Sequence, residues 1–207
     1  MDLIIVGAGS VGCHISQNIQ EYGNFNLLGF VDDAPEKQGK KIYGYDVLGK
    51  VDTLLNLKNI AVVVGIAFPK IKARIVRQLS ANKTLSFPTL ISPRAWISNG
   101  STIGAGCIIY PGATINYGCK IHDYVVINMN CSIGHECCIG DFSSLAPGVN
   151  LAGHTAVGKE GEIGIGASTK QSVKIGDFAI IGGQAMIIKD VEQNTRVIGV
   201  PGKQQTR

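Results

Sequence analysis

An aliphatic residue recurs every sixth position through the second half of this chain, and that period narrows the fold more than any other feature. The series starts at Ile97, passes through Ile103, Ile109, Ile115 and Ile121 to Ile163, breaks at Thr169, and resumes at Ile175, Ile181 and Ile187. Fifteen of its sixteen slots are aliphatic. A second series, four residues later, is small throughout, from Ser101 to Ala185. A period this strict means a solenoid. Six residues make one flat side with its turn, and three sides make a coil of 18 residues, a triangular prism. The aliphatic slot fills the interior and the small slot fits where the wall bends inward. Coils stack at about 4.8 Å, the spacing of paired strands, so residues 97–190 predict about five coils.

Composition agrees with a chain of many tight turns. Twenty-seven of 207 residues are Gly, nearly twice the usual ~7%, with no Gly-X-Y period. Hydrophobic residues make up 45% and charged ones 16%, which excludes a disordered chain. A net charge of +4, with no basic block carrying interleaved aromatics, gives no case for nucleic acid. Four of the six cysteines, Cys107, Cys119, Cys131 and Cys137, fall in the small inward slot. They read as core hydrophobes rather than as disulfide or metal partners. No apolar run approaches the ~18 residues of a membrane span. The start, MDLIIVGAGS, reads as a strand and turn rather than a secretion signal, so a cytoplasmic protein is expected.

The first ninety residues obey other rules. Leu3-Ile4-Ile5-Val6 suits a buried parallel strand, and Gly7-Ala8-Gly9-Ser10-Val11-Gly12 after it matches G-x-G-x-x-G. Val11, Ile15, Ile19 and Tyr22 then recur near helical spacing. A second strand over 26–31 ends in Asp32-Asp33, and a third covers 61–66. Pro69 opens a helix with Ile71, Ile75 and Leu79 inward and Lys70, Arg74 and Arg77 outward. Residues 85–90 read as a short last strand. This is βαβ wiring. Glycines let the backbone approach a diphosphate at a helix N-terminus, and Asp32 or Asp33 lies where an acid accepts hydrogen bonds from a ribose or base. The chain beyond the βαβ region carries no hydride-transfer domain, so NAD is not expected.

GAGSVG, FVDD, FPTLISP, Ile127-Asn128, Gly134-His135-Glu136 and the closing GVPGK, on top of the hexapeptide repeat, resemble the sialic acid O-acetyltransferase / UDP-4-amino-sugar N-acetyltransferase family. The resemblance covers the whole chain. It implies a Rossmann-like nucleotide-sugar-binding domain over residues 1–90 and a left-handed parallel β-helix over 91–207 with a C-terminal tail. It further implies acetyl-CoA as donor, no metal, a nucleotide sugar or sugar as acceptor, and a homotrimer with active sites between subunits. By motif match, Gly7, Gly9, Ser10, Asp32 and Asp33 contact the nucleotide. His135 matches the catalytic base, Glu136 the acid beside it, and Asn128 an active-site Asn. Gly153 lies one coil after His135, where its N–H can face the thioester oxygen. Gly164, Gly182 and Lys170 are expected to meet acetyl-CoA towards the C-terminal coils, with His154, next to Gly153, also among the cofactor-binding residues. Two departures stand out: many relatives carry a second His where this chain has Ser144, and some carry a His where it has Ala8.

A neutral His suits acetyl transfer because its pKa lies near working pH, and the oxyanion needs a donor such as a backbone N–H. His135 takes the third place of its hexad and therefore lies outside the interior. Position 154 is 136 + 18, so His154 is expected directly above Glu136, about 4.8 Å along the stack, able to hold that carboxylate or to replace the missing second His. Sugar O-acetylation is the near alternative. A zinc hydratase of the γ-carbonic anhydrase type needs converging histidines, and the intervals of 13 and 19 between His122, His135 and His154 match that poorly. A non-catalytic scaffold leaves the Gly-rich domain and the Gly134-His135-Glu136 motif unexplained.

Overall fold

The structure, a computed structural model, describes residues 1–205. The chain divides into two compact units, Met1–Pro88 and Thr89–Arg207.

In the first unit β1 (Asp2–Val6) leads through the Gly-rich turn into α1 (Ser10–Gln17). Next come β2 (Asn26–Val31), a small hairpin of β3 (Lys41–Ile42) and β4 (Tyr45–Asp46), β5 (Ala61–Val64) and α2 (Pro69–Leu79). The sheet is parallel in the order β2-β1-β5. A central parallel strand is covered on both faces, so it must be apolar throughout; Leu3 to Val6 are all buried. Two expectations need correction. α2 buries Lys72, Ala73, Ile75, Val76 and Leu79 and leaves Ile71 42% exposed. Its inner stripe is thus turned by one residue from the Ile71–Ile75–Leu79 line. No strand spans 85–90 either: Ser86 makes an isolated bridge to Ala61, while Leu90–Ile91 pairs with Ile108–Ile109 in the second unit.

The second unit is a left-handed parallel β-helix of about six turns. It is longer than predicted because the prism begins at Leu90 and runs to Val197. The first side stacks the strands from Trp96–Ile97 to Met186–Ile187, the second those from Thr102–Ile103 to Lys174–Ile175, and the third those from Leu90–Ile91 to Arg196–Ile198. Pairing keeps the 18-residue register, as in Ile115 with Ile133 and Ile127 with Leu145, and the last coil shortens to pair Ile181 with Val197. Both hexad series are buried in one core from Cys107 to Val197. Burial pushes the Cys131 thiol up to about 11, as befits a core residue. Thr169 breaks the aliphatic series without leaving a buried polar group unpaired: its hydroxyl accepts from the Ala152 N–H at 3.0 Å and meets the Thr155 hydroxyl at 2.9 Å.

Every sixth residue from Gly100 to Gln184 turns a corner with φ between 52° and 83°. This left-handed region costs Gly least, yet Tyr124, Glu136, Phe142 and His154 also adopt it. Corner side chains therefore stack into columns along the prism edges, one coil apart. The outward positions differ along the prism: Ile108, Tyr110 and Val126 are covered by the chain, at 1%, 2% and 1% exposure, while Tyr117 is 52% exposed.

Candidate active site

Two places concentrate polar side chains, one in each unit. The first is the corner between the first and second sides of the prism. Leaving the strand Ser132–Ile133, the chain presents His135 and Glu136 outward, both partly exposed. Coil-to-coil hydrogen bonds hold this corner: Glu136 N–H donates to Tyr117 O at 2.8 Å and His154 N–H to His135 O at 2.9 Å. His135 Nδ1 lies 3.1 Å from Glu136 Oε2, and His154 Nε2 lies 3.4 Å from the same oxygen. The Tyr117 ring stacks on the His135 imidazole, centroids 5.4 Å apart and planes 10° apart. Tyr117 reads from the sequence as an outward residue of the prism; its place under His135 follows from the coil arithmetic, since 117 is 135 − 18.

Gly153 sits against the other edge of the same ring. A Cβ there would run into His135 Nε2, Cε1 and Cδ2, so Gly is required for the imidazole to fit. Among the described residues the Gly153 N–H has no acceptor. In the tautomer that donates Nδ1–H to Glu136, the acceptor is Nε2, which lies beside Gly153. The corner therefore offers a proton acceptor, a carboxylate to stabilise the imidazolium, and a free N–H donor.

The 19-residue interval between His135 and His154 is one coil plus one residue, and it does bring the two imidazoles together, centroids 4.8 Å apart. The interval argument against convergence fails for this pair. It holds for His122, which lies instead near Cys138 Sγ at 3.6 Å and Asp141 Oδ1 at 3.9 Å.

Asn128 does not join His135 within one chain. It succeeds Ile127 on the third side and so occupies the preceding corner, where its Oδ1 accepts from the Met129 N–H at 2.8 Å. Gly164 and Gly182 lie in the same column as Asn128, at 18-residue steps through Ala146. Their missing Cβ positions are crowded by Gly183 and by Ile198, so close approach of coils already accounts for both glycines. Lys170 returns to the His135 corner, one coil beyond Ala152, with its side chain exposed. Ser144 is buried on the third side.

The second place is the Gly-rich turn. Gly7 has φ 91°, Gly12 packs so closely that a Cβ would strike Gly7 O, and Gly9 faces open space. A cavity of about 250 Å³ lies over the start of α1, lined by Gly7, Gly9, Ser10, Asp32, Lys37 and Phe68 among others. The two acids divide the work. Asp32 accepts from Ala8 N–H at 2.8 Å, Ala34 N–H at 2.9 Å and Lys37 Nζ at 2.8 Å. Burial pushes its carboxyl up, but the hydrogen bonds from Lys37, Ala34 and Ala8 outweigh that and leave it lowered. Three of its lone-pair sites are thus engaged within the chain, and it lines the cavity with the remainder. Among the described residues Asp33 spends only Oδ1, on the Val51 N–H at 3.0 Å, and borders an adjoining cavity with Arg74 and Ile71.

Known proteins share both units. Residues 2–79 match the family model of the PglD N-terminal domain. A GDP-perosamine N-acetyltransferase of Escherichia coli O157:H7 is 33% identical over 179 residues, 82% of this chain and 78% of that protein. Among solved structures, the acetyltransferase domain of PglB from Neisseria gonorrhoeae FA1090 superposes with a TM-score of 0.90 at 27% identity over 99% of both chains. PerB from Caulobacter crescentus, in complex with CoA and GDP-perosamine, superposes with a TM-score of 0.91 at 25% identity over 100% of this chain and 98% of that one. Among the described residues no helix is long and apolar enough to cross a membrane.

Proposed function

This chain belongs to the hexapeptide-repeat N-acyltransferase family, and from that premise we propose that it moves acetyl from acetyl-CoA to the amino group of a nucleotide-linked amino sugar. The observation that carries the reading is the His135–Glu136 pair, with Nδ1 engaged at 3.1 Å and Nε2 free. The sugar amine attacks the thioester carbonyl carbon. Its proton passes to His135 Nε2, and Glu136 stabilises the imidazolium as it forms. The Gly153 N–H is the donor for the oxyanion. The C–S bond then breaks and the proton leaves on the thiol of CoA. N-acetyltransferases among the relatives support an amine over a hydroxyl acceptor.

The nucleotide is assigned to the first unit. Its diphosphate rests on Gly9 and the free N–H groups at the start of α1, and Asp33, with one oxygen uncommitted, accepts from ribose or base. A homotrimer completes the reading. Asn128, Gly164 and Gly182 occupy one edge of the first side, and His135, Gly153 and Lys170 the other, so one chain presents two half-sites. The outward residues of that side, Trp96, Thr114, Ser132, Asn150, Ser168 and Met186, carry no charge, which suits the core of an interface. All six cysteines are free thiols, in keeping with the cytoplasm.

The test is incubation of the purified protein with acetyl-CoA and UDP-, GDP- or dTDP-linked 4-amino sugars. Product mass should rise by one acetyl group for one acceptor. No acetylated product from any of the three, with the fold intact by circular dichroism, rejects the assignment. A monomer by light scattering at micromolar concentration rejects the shared site.

A further inference from the structure

We propose that His135, Glu136 and His154 also form a binding site for a divalent transition-metal ion, zinc foremost, whose binding switches the transfer site off. One ligand atom from each lies within 4.8 Å of the other two. Zinc bonds of about 2.0–2.1 Å at tetrahedral angles put neighbouring ligand atoms roughly 3.3 Å apart. Here Glu136 Oε2 is 3.1 Å from His135 Nδ1 and 3.4 Å from His154 Nε2, so two edges of the ligand triangle already have zinc dimensions. The third is at most 4.8 Å and closes by rotation of the exposed His154 ring. Two neutral imidazoles and one carboxylate are a known zinc donor set that leaves the fourth position to water. Nitrogen donors favour zinc, nickel or copper over magnesium or calcium. The donors are also held in place. Glu136 and His154 stand in one corner column, the His154 N–H is bonded to His135 O, and Tyr117 stacks on the His135 ring.

The chemical consequence comes from the tautomer. In transfer, His135 keeps its proton on Nδ1, facing Glu136, and accepts at Nε2. A metal on Nδ1 requires the lone pair there, so the ring proton must leave Nδ1 and sit on Nε2, where no substrate proton can then be received. It also takes the carboxylate oxygen that supports the imidazolium. Metal and catalysis thus need opposite forms of one imidazole. The inhibition rests on the proposed role of His135; the metal binding does not.

Zinc affinity is measured by competition with a chromophoric chelator, on protein carrying Cys138→Ser and His122→Gln to remove the separate thiol–imidazole pair of Cys138 and His122. One zinc per chain is expected. Loss of an outer-shell partner typically costs 10–100-fold in metal affinity, so loss of a ligand in His154→Asn or Glu136→Gln should weaken binding by about 100-fold or more. Unchanged zinc affinity in both variants, each folded by circular dichroism, overturns the site. In the transfer assay zinc should inhibit the wild-type protein, with activity restored by EDTA; full activity at saturating zinc overturns the switch. If no acceptor is ever acetylated, the function fails while the chelator titration still decides the metal site.

Discussion

Asp32 in the first unit and Glu136 in the second are both acids beside a Gly-rich turn, and they have opposite fates. Asp32 has a side chain 12% exposed and is surrounded by three donors. Glu136 is 47% exposed, and among the described residues its carboxylate has two imidazoles as its polar partners. The difference comes from the main chain. Where β1 ends and α1 has not begun, the Ala8 N–H has no main-chain partner, and after β2 neither has Ala34; a carboxylate must serve both. At the solenoid corner the neighbouring coil does that work, through Glu136 to Tyr117, His154 to His135 and Ser172 to Gly153. At this corner the side chains of His135 and Glu136 are left to each other and to His154. The repeat does not free every corner, since Asp123 and Asn128 accept from main-chain N–H groups, but at the His135 corner it leaves the carboxylate to the imidazoles.

That contrast can be broken at its strongest point. As general base, His135 should supply about 10²–10⁴ in rate. His135→Ala should lower kcat by that factor and leave acetyl-CoA binding near normal, as read by steady-state kinetics and calorimetry. Full turnover in this variant would remove the solenoid corner from the chemistry.

A smaller and sharper test is Gly153→Ala. The new methyl must push the His135 ring aside, and a displacement near 1 Å can cost about 10²-fold. The variant should lose turnover while keeping its thermal transition; normal kcat would show that the ring is not seated by Gly153.

In the first unit the contrast predicts a division between neighbouring acids. Asp33→Ala removes a partly free acceptor and should weaken nucleotide-sugar binding about 10-fold. Gly9→Val should do so by blocking the open face of the turn. If both folded variants bind the acceptor normally, the loop is a turn and nothing more.

Finer still is the coupling of Glu136 with His154. Glu136→Gln and His154→Ala should each reduce kcat by less than His135→Ala does. Their double variant should depart from additivity by about 0.5 kcal/mol or more; strict additivity in kcat would mean that the 3.4 Å contact carries no energy.

The smallest effect on turnover is expected at Asp32, whose influence is on stability. Its carboxyl is lowered in the folded chain from an unfolded value near 3.9. Its contribution is therefore full above about pH 3.9 and is lost as pH falls through the lowered value. Asp32→Asn should remove that acid-sensitive component, monitored by far-ultraviolet circular dichroism. Trp96 is the single tryptophan and lies on the solenoid, so its fluorescence should not track the change.

Much of the solenoid was open to arithmetic because each coil touches only the next, so neighbours in space are neighbours at a fixed interval in sequence. The buried aliphatic and small series, the thiols in the core and the position of His154 over Glu136 all come from counting in steps of six and 18. The same counting locates Tyr117 beneath His135 and Asn128 on another corner, once each hexad is assigned to its side. The period is silent wherever a contact occurs once. Commitment of Asp32 to Ala8, Ala34 and Lys37, the turn of α2 that buries Lys72 and exposes Ile71, and the covering of Ile108, Tyr110 and Val126 are such contacts. They were decided by the tertiary structure, because a unique contact depends on where several non-repeating segments meet, and no local pattern in any one of them records that.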